Sequence, residues 1–519
     1  MLLQKSMHPK VLLLAGIFIV SCSSIKKQAA VPAYATEKHR PQVHFTPKAK
    51  WMNDPNGMVF SNGTYHLMYQ YYPDSTIWGP MHWGHATSKN LVHWSHQPIA
   101  FYPDSLGYIF SGSAVIDVKN TSGFGTGGKP PMVAIFTHHD PAGAEAGSST
   151  FQNQSIAYSL DEGKTWTKYS GNPVLKNPGI RDFRDPKVSW HEETSKWIMT
   201  LATLDRITFY SSSDLKEWTK ESEFGKDVGA HGGVWECPDL FPLELNGERV
   251  WILLVSINPG GPNGGSATQY FTGKFDGRRF TPFHTDIRWI DHGPDNYAGV
   301  TWSNTGKRKI FMGWMSNWQY ANVVPTKSWR SAMTLPRELS LERLGEKYFV
   351  RSTPVHELEQ LAGKPVTLQN IDATDYDFTQ QEGLSAVPSR IYLQADSIKD
   401  FTITFLNKAG QKVMVGYETK TNLYFIDRSA SGNTSFEKGF AKRHTAPRIA
   451  NAKAMDLELV LDNASLELFA DNGLTVMTEI FFPDSLLSRI HFNSKDQFRI
   501  KSLTFTPLES MYKKSGDIP

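Results

Sequence analysis

Three acidic residues lie near a proline at the start of repeated sequence units, each ahead of a short apolar strand. They are Asp54, Asp185 and Glu236. Carboxyl groups that share a partly buried site repel one another, which favours one ionised group and one protonated group at neutral pH. The hydrolysis of a glycosidic bond requires such a division of roles, with one carboxylate as nucleophile or stabiliser and one acid that protonates the leaving oxygen. A capping or turn residue is the alternative role for any one of them.

These carboxyl groups meet only if the units surround a common axis. Each unit reads as a strand, a turn and a second apolar strand, and the five units begin near Asp54, Ser111, Asp185, Glu236 and Tyr297. Units of this kind, repeated at about 50 to 70 residues, predict the blades of a five-bladed β-propeller. A second recurrence, a polar turn just before Trp94, Trp166 or Trp218, agrees with this interpretation. The alternative, a large β-sandwich with unrelated hairpins, does not explain these recurrences.

The second half of the chain has a different pattern. Apolar residues at 355, 358 and 361 predict a short helical connector, after which alternating strands predict an antiparallel β-sandwich. The fold class is therefore all-β, a five-bladed β-propeller followed by a C-terminal β-sandwich. The predicted segments are an export signal (1–21), a flexible tether (22–40), the propeller (41–350), a linker (351–364) and the sandwich (365–519).

The N-terminal segment has the features of a bacterial lipoprotein signal. Lys5 and Lys10 precede an apolar run at 11–20, which is too short to cross a bilayer. The run ends in Ile-Val-Ser-Cys, which resembles a lipobox with Cys22 as the acylated residue. Several acyl chains anchor a protein durably. We therefore expect a lipid anchor in the bacterial cell envelope, on the outer membrane, with Lys26 and Lys27 favouring the periplasmic face.

Composition excludes several other functions. The 519 residues carry 54 Lys and Arg against 51 Asp and Glu, so a nucleic-acid partner is not expected. The two cysteines, Cys22 and Cys237, do not form a disulfide framework. Two His-x-x-His pairs, at 82–85 and 93–96, lie in strand-rich sequence, where residues three apart face opposite sides. We therefore predict neither a metal site nor a cofactor.

Four motifs then point to a family. They are WMNDPNG at 51–57, FSGS at 110–113, FRDP at 183–186 and WECPD at 235–239. In this order they resemble the signatures of glycoside hydrolase family 32, the β-fructosidases, which include invertases, inulinases and levanases. The family fold, a five-bladed propeller with an appended sandwich, agrees with the fold expected from the repeated units.

The resemblance implies specific roles. It makes Asp54 the nucleophile, Glu236 the general acid/base and Asp185 the stabiliser of the transition state. Trp235 and Val234 would give Glu236 the apolar setting that favours a protonated acid. The residues expected from the resemblance to bind sugar hydroxyls are Asn53, Gln70, Trp78, Phe110, Ser111, Arg184 and Trp314.

The expected activity is that of a retaining β-fructosidase that hydrolyses fructans such as levan or inulin, and sucrose, from the chain end. Two Gly-rich loops, 138–154 and 259–268, are long enough to wall a pocket of that kind. Flexible loops could instead leave a groove for an endo-levanase. Three further functions compete with this one: a fructosyltransferase with the same carboxylates, an arabinan-cleaving glycosidase and a non-catalytic glycan-binding lipoprotein. A non-catalytic glycan-binding lipoprotein would lack at least one of the three carboxylates, and all three are present.

Overall fold

The computed structural model of the chain describes residues 31–381 and 387–513. Over these residues it is an all-β structure, a five-bladed propeller followed by a β-sandwich, which confirms the predicted fold class. The predicted export signal and the predicted lipidation site Cys22 lie outside the described residues. No helix in the described part of the chain is long and apolar enough to cross a membrane.

The first three blades are antiparallel sheets of strands that follow one another in the chain. Blade one contains β1 (Lys50–Ser61), β2 (Thr64–Tyr72), β3 (His82–Ser88) and β4 (Trp94–Phe101). Blade two contains β5 (Tyr108–Ile116), β6 (Met132–His139), β7 (Gln152–Ser159) and β8 (Thr167–Lys168), with the short helix α1 (Pro141–Glu145) between β6 and β7. Blade three contains β9 (Phe183–His191), β10 (Lys196–Thr203), β11 (Arg206–Ser212) and β12 (Thr219–Phe224).

The last two blades complete the ring. Blade four contains β13 (Val234–Leu245), β14 (Glu248–Asn258), β15 (Ala267–Phe275) and β16 (Phe280–Pro282). Blade five contains β17 (Tyr297–Thr301), β18 (Ile310–Met315), β20 (Ala332–Met333), β21 (Arg337–Leu344) and β22 (Lys347–Pro354). The ring closes where β19 (Trp329–Arg330), which follows β18 in the chain, pairs in parallel with β1 of blade one.

The inner strand of every blade carries a β-bulge near its start. The pairing register shifts at residues 53–54, 110–111, 185–186, 237–238 and 298–299. Three of these residues have positive φ, at 65° for Asp185, 43° for Cys237 and 54° for Ala298. A bulge bends its strand and re-aims the side chains beside it. The repeated bulge therefore directs residues of all five blades towards the same mouth of the channel.

The recurrent turn before a tryptophan forms the same local structure in blades one, two and three. In each, the indole N–H donates to the carbonyl three residues earlier, so that the ring closes the turn between the two outer strands. The bonds run from Trp94 to Leu91 at 2.9 Å, from Trp166 to Gly163 at 3.2 Å and from Trp218 to Leu215 at 3.2 Å. The sequence recurrence therefore reflects a shared hydrogen bond.

A 3-10 helix at His356–Leu361 connects the propeller to the sandwich. The sandwich strands are β23 (Val366–Asp377), β24 (Ser389–Ala395), β25 (Phe401–Leu406), β26 (Lys412–Glu418), β27 (Leu423–Asp427), β28 (Arg443–Pro447), β29 (Met455–Asp462), β30 (Ser465–Ala470), β31 (Thr475–Ile480) and β32 (Arg489–Pro507), with a further 3-10 helix at Phe378–Gln380. The long β32 belongs to both layers, since residues 489–493 pair with β25 and residues 500–507 pair with β24. Apolar side chains of both layers form the core between them.

Buried ion pairs join the sandwich to the propeller. Arg337 of blade five donates to Glu467 of β30 at 2.8 Å and to Asp291 at 2.8 Å, and all three residues are almost completely buried. Arg428 contacts Asp295 at 2.6 Å in the same interface. Buried charges are costly unless they are paired and hydrogen-bonded, so these contacts bind the two domains in one arrangement.

The start of the described chain packs on the folded domains. Residues Ala33–Thr36 form a 3-10 helix, and Arg40 is fully buried, with its guanidinium 4.2 Å from the ring centre of Trp329. This region was expected to belong to a flexible tether. Arg40 instead donates hydrogen bonds to the carbonyls of Tyr34 and Pro47, which fold the segment around it.

Candidate active site

The bulged ends of the inner strands line a cavity of about 580 Å³ at one mouth of the propeller channel. Nine of the ten residues expected to form the site line this cavity. They are Asn53, Asp54, Gln70, Trp78, Phe110, Ser111, Arg184, Asp185 and Glu236. The tenth, Trp314, does not line it.

Asp54 is held by two donors at the bulge of β1. Asn53 Nδ2 donates to its Oδ1 at 2.9 Å, and Ser111 Oγ donates to its Oδ2 at 2.7 Å. Asn53 is itself fixed by the indole N–H of Trp51 at 2.7 Å. Burial raises the pKa of Asp54, and the two hydrogen bonds oppose that rise. The carboxylate therefore has a fixed orientation towards the cavity.

Asp185 lies close to Asp54 across the cavity floor. Its Oδ2 accepts a hydrogen bond from the backbone N–H of Cys237 at 3.1 Å. The Cys237 sulfur is 3.5 Å from Asp54 Oδ2 and 3.6 Å from Asp185 Oδ2, so one thiol contacts both carboxylates. Burial raises the pKa of Asp185 to about 7, with Arg184 opposing the rise and the other two carboxylates adding to it.

Glu236 occupies a polar setting, which differs from the apolar one expected from its neighbours in sequence. Arg184 Nη2 donates to its Oε1 at 2.9 Å, and the hydroxyl of Tyr297 donates to its Oε2. Trp235 packs instead in the core between blades three and four. Alternation along β13 explains the difference, because successive side chains point to opposite faces of the sheet.

The charges in the site do not balance. Four carboxylates line the cavity with two cations, Arg181 and Arg184. The carboxylates are Asp54, Asp182, Asp185 and Glu236. Arg184 binds Glu236 at 2.9 Å and Asp182 at 2.5 Å and lies 3.9 Å from Asp185. Burial raises the pKa values of Asp54 and Asp185, and the negative charge of neighbouring carboxylates adds to the rise. Near neutral pH such a coupled cluster binds a proton that isolated carboxylates would have released. The arrangement can thus hold a nucleophilic carboxylate and a proton donor in one cavity.

Aromatic rings form the walls above the carboxylates. Phe110 stacks on His139 with 4.2 Å between ring centres, and Trp78 meets Phe110 edge-on at 6.1 Å. Trp318 completes the opposite wall. Trp314, expected to contact sugar, is fully buried beneath Trp318, 4.9 Å away between ring centres. Flat apolar walls with few polar groups are typical of a small-molecule site.

One of the two expected loops walls the cavity. Ala144, Ser149 and Phe151 of the 138–154 loop line it. The 259–268 loop was also expected there, but none of its residues lines the cavity. It turns to the sandwich instead, where Asn263 Nδ2 donates to the carbonyl of Thr445 at 2.9 Å. The Gly-rich sequence allows the loop to turn either towards the cavity or towards the sandwich. The hydrogen bond of Asn263 holds it against the sandwich.

Comparison with known proteins defines the family. Residues 44–353 match the model of the glycosyl hydrolases family 32 N-terminal domain, and residues 357–507 match that of the family 32 C terminal. The chain belongs to glycoside hydrolase family 32. It is 46% identical to a levanase of Bacillus subtilis, over 93% of this chain and 72% of the levanase. It is 39% identical to an extracellular exo-inulinase of Aspergillus niger, over 86% of this chain and 90% of the relative.

The solved structures agree with the sequence relatives. The crystal structure of an exo-inulinase from Aspergillus awamori is similar with a TM-score of 0.84 and 34% identity, over 92% of this chain and 99% of the other. The resemblance to family 32 inferred from the four motifs is therefore confirmed, and so is the assignment as a glycoside hydrolase.

Sequence reasoning missed several residues of this family 32 site. Tyr297 begins the fifth unit, and the bulge of β17 gives it the place in blade five that Glu236 has in blade four. Aligning the starts of the five sequence units would have placed Tyr297 at the same position as Glu236. Trp318 and Asn322 follow β18 in a loop without a strand pattern, so no signal in the sequence marks them.

The histidines discussed for a metal site take other roles. His85 stacks on His66, with 3.2 Å between Nε2 and Nδ1, and His82 Nδ1 lies 2.9 Å from the carbonyl of Pro80. Among residues 31–381 and 387–513, no group of three His, Cys, Asp or Glu could hold a metal ion.

Proposed function

We propose that this family 32 enzyme hydrolyses fructans as a retaining β-fructosidase that releases fructose from chain ends. The observation that carries the proposal is the convergence of Asp54, Asp185 and Glu236 on one aromatic-walled cavity. The Bacillus levanase and the Aspergillus exo-inulinases, which match most of this chain, support a fructan as substrate. A binding protein without activity would not need all three carboxylates.

In the first step Asp54 attacks the anomeric carbon of the terminal fructose while Glu236 protonates the departing oxygen. The carbon–oxygen bond to the leaving group breaks as the bond to Asp54 forms. Hydrogen bonds from Asn53 and Ser111 aim the attacking carboxylate, which lowers the cost of orientation. The leaving sugar departs with the proton from Glu236.

In the second step a water molecule replaces the leaving group. Glu236 takes a proton from the water, the water oxygen bonds to the anomeric carbon, and Asp54 is released. Two inversions give retention of the β configuration. Asp185, held by the N–H of Cys237 at 3.1 Å, is placed to accept hydrogen bonds from fructose hydroxyls as positive charge develops on the ring.

The shape of the cavity supports attack at chain ends. The 138–154 loop closes one side, and Trp318 and Asn322 close the other. The buried pair of Lys187 and Asp239, 3.1 Å apart, lies farther along the inner strands than the carboxylates. A volume of about 580 Å³ has room for a terminal sugar and its neighbour, whereas internal cleavage needs an open groove.

Product analysis on levan, inulin and sucrose tests this proposal. We expect fructose as the main early product from both polymers, with the β anomer formed first. A ladder of oligosaccharides with little fructose at early times would show endo-cleavage. Longer fructo-oligosaccharides formed from sucrose would show that transfer to sugar exceeds transfer to water.

We also propose that Cys22 carries a lipid anchor that holds the enzyme at the bacterial cell envelope. The apolar run at 11–20 and the following Cys22 support this proposal. Replacing Cys22 with alanine should release the protein into the soluble fraction without loss of activity. Replacing the neighbouring Ser23 with alanine is the matched control and should leave the anchor intact. Membrane association of the Cys22→Ala variant after a salt wash would contradict the anchor.

A further inference from the structure

A cluster of buried polar side chains joins the inner strands of blades three, four and five. Its members, one from each strand, are Lys187, Asp239 and Thr301. Each follows a residue of the active site in the same strand, and these residues are Asp185, Glu236 and Tyr297. The cluster is therefore continuous in sequence with the three strand segments that carry most of the site.

The ammonium of Lys187 is the centre of the cluster. It donates to the backbone carbonyl of Thr301 and lies 3.1 Å from Oδ2 of Asp239. The same Oδ2 accepts from the backbone N–H and the hydroxyl of Thr301, at 2.6 and 2.8 Å. All three residues are buried, so solvent and salt screen the pair of charges little. One cation thus ties together the inner strands of three blades.

The strand segments that precede the cluster contain strained backbone. Asp185, Cys237 and Ala298, at the three bulges, have φ values of 65°, 43° and 54°. These values lie in the left-handed region, which is unfavourable for residues that carry a Cβ. Strained residues persist only where the surrounding structure holds them. Each bulge therefore requires contacts beyond those of its own strand.

The strained bulges determine where the groups of the site lie. The backbone N–H of Cys237 donates to Oδ2 of Asp185 at 3.1 Å, so the bulge of blade four orients a carboxylate of blade three. Glu236 directly precedes Cys237, and Tyr297, which donates to Glu236, directly precedes Ala298. A change in the backbone at any of these bulges would therefore displace a group of the site.

We propose that Lys187 is a positioning residue of the active site, whose ammonium holds the strained bulges of blades three, four and five in place. It acts through Asp239 and Thr301 and does not contact substrate. The inference rests on the proposed function for the roles of Asp185 and Glu236. Misplacing a catalytic group by about 1 Å can cost about a hundredfold in rate. Loss of the cluster should therefore lower kcat much more than it changes KM.

Steady-state kinetics on levan, inulin and sucrose tests the proposal. Lys187→Met removes the ammonium at nearly constant length and should lower kcat by about tenfold to a hundredfold, with KM changed by less than about twofold. The matched control is Lys309→Met, which should keep both wild-type values. Lys309 lines a cavity of about 550 Å³ together with Lys187, but its ammonium has no hydrogen bond or ion pair within the described part of the chain.

A milder pair of variants serves if Lys187→Met does not fold. Thr301→Val keeps the shape of the side chain and loses only the hydroxyl donor to Asp239, so kcat should fall in the same direction by about threefold or more. Thr301→Ser retains that donor and should restore the wild-type kcat.

The thiol of Cys237 provides a readout that does not depend on activity. It is buried at the bulge of β13, so iodoacetamide reaches it only when the bulge opens. Alkylation of the intact protein, quantified at Cys237 by mass spectrometry, should be about tenfold faster in Lys187→Met than in the wild type. Thr301→Val should also react faster than the wild type, whereas Lys309→Met should react at the wild-type rate.

The two measurements separate this proposal from the proposed function. A wild type that cleaves none of the three substrates would contradict the proposed function, and the alkylation rates would still decide whether the cluster holds the bulges. A wild-type alkylation rate in both Lys187→Met and Thr301→Val would overturn the proposal. In an active enzyme, a wild-type kcat in both variants, or a raised KM at unchanged kcat, would also overturn it.

Discussion

The hydroxyl of Tyr297 donates a hydrogen bond to Oε2 of Glu236. On the other side, Arg184 donates to Oε1 at 2.9 Å, so donors from blades five and three hold both oxygens of one carboxyl group. Burial and the Glu236 charge raise the pKa of Tyr297 well above its ordinary value, so the hydroxyl keeps its proton and acts only as a donor. We infer that Tyr297 positions Glu236, the proposed general acid/base, without contacting the reacting atoms.

Replacing Tyr297 with phenylalanine should lower kcat by about tenfold to a hundredfold, because a hydrogen bond to a charged group is lost. Steady-state kinetics of the variant and the wild type measures the effect. Tyr270→Phe is the control, because Tyr270 is buried in the core between blades four and five, away from the cavity. A kcat in Tyr297→Phe equal to that of the wild type would show that this hydrogen bond does not contribute to catalysis.

The proposed roles of the two catalytic carboxyl groups give a second prediction. Asp54→Asn and Glu236→Gln should each lower kcat by about a thousandfold or more while substrate binding survives, because each removes chemistry and little contact area. NMR of the first product in the wild type should show the β anomer before mutarotation. The exposed Glu217→Gln serves as the control. If Asp54→Asn kept more than about a tenth of the wild-type rate, Asp54 would not be the nucleophile.

The repeated units of the sequence predicted the five blades because each blade needs the same elements. A tight turn, an apolar pair of strands and a tryptophan that closes the outer turn recur for physical reasons, as the bond from Trp94 to Leu91 shows. The carboxylates could be grouped for the same reason, since each begins an inner strand. Their order along the chain and their motifs then identified the family.

The partners of these residues could not be predicted in the same way. Which face of a strand points into the cavity depends on the bulge, and a bulge at 237–238 leaves no signal in a pattern of apolar residues. Trp235 was assigned to the surroundings of Glu236 because the two are adjacent in sequence, although alternation along β13 places their side chains on opposite faces of the sheet. Loop residues such as Trp318 depend on contacts between distant parts of the chain, which local sequence does not encode.

The third prediction separates two neighbouring tryptophans. Trp318 lines the cavity, whereas Trp314 is fully buried beneath it. Trp318→Ala should raise KM for fructan with a smaller effect on kcat, because it removes a wall that contacts substrate in ground and transition states alike. Trp314→Ala should lower the free energy of unfolding by about 3 to 5 kcal/mol, the usual cost of a large core cavity. Kinetics and denaturant titration of both variants measure the difference. A normal KM in Trp318→Ala would remove this residue from the substrate site.

The last prediction concerns His44, which joins the start of the propeller to the sandwich. The ring is fully buried, with Nδ1 2.8 Å from Asp462 and Nε2 3.2 Å from Glu467. Burial alone would lower the pKa of His44, but hydrogen bonds to these two carboxylates and their negative charge outweigh burial and raise it to about 9. The protonated ring is thus bound more strongly in the folded state than the neutral ring.

The stability that this protonation contributes should be complete below the ordinary histidine pKa of 6.5 and should decrease as pH rises through about 9. The shift corresponds to a contribution on the order of 3 kcal/mol. Denaturant titration of wild type and His44→Gln at pH 6, 8 and 10 should therefore show a difference in unfolding free energy that shrinks steadily with pH. His356→Gln, at an exposed position, should show almost no difference at any pH. A constant gap between wild type and His44→Gln would mean that the ring contributes by packing and that its charge does not bind the two domains.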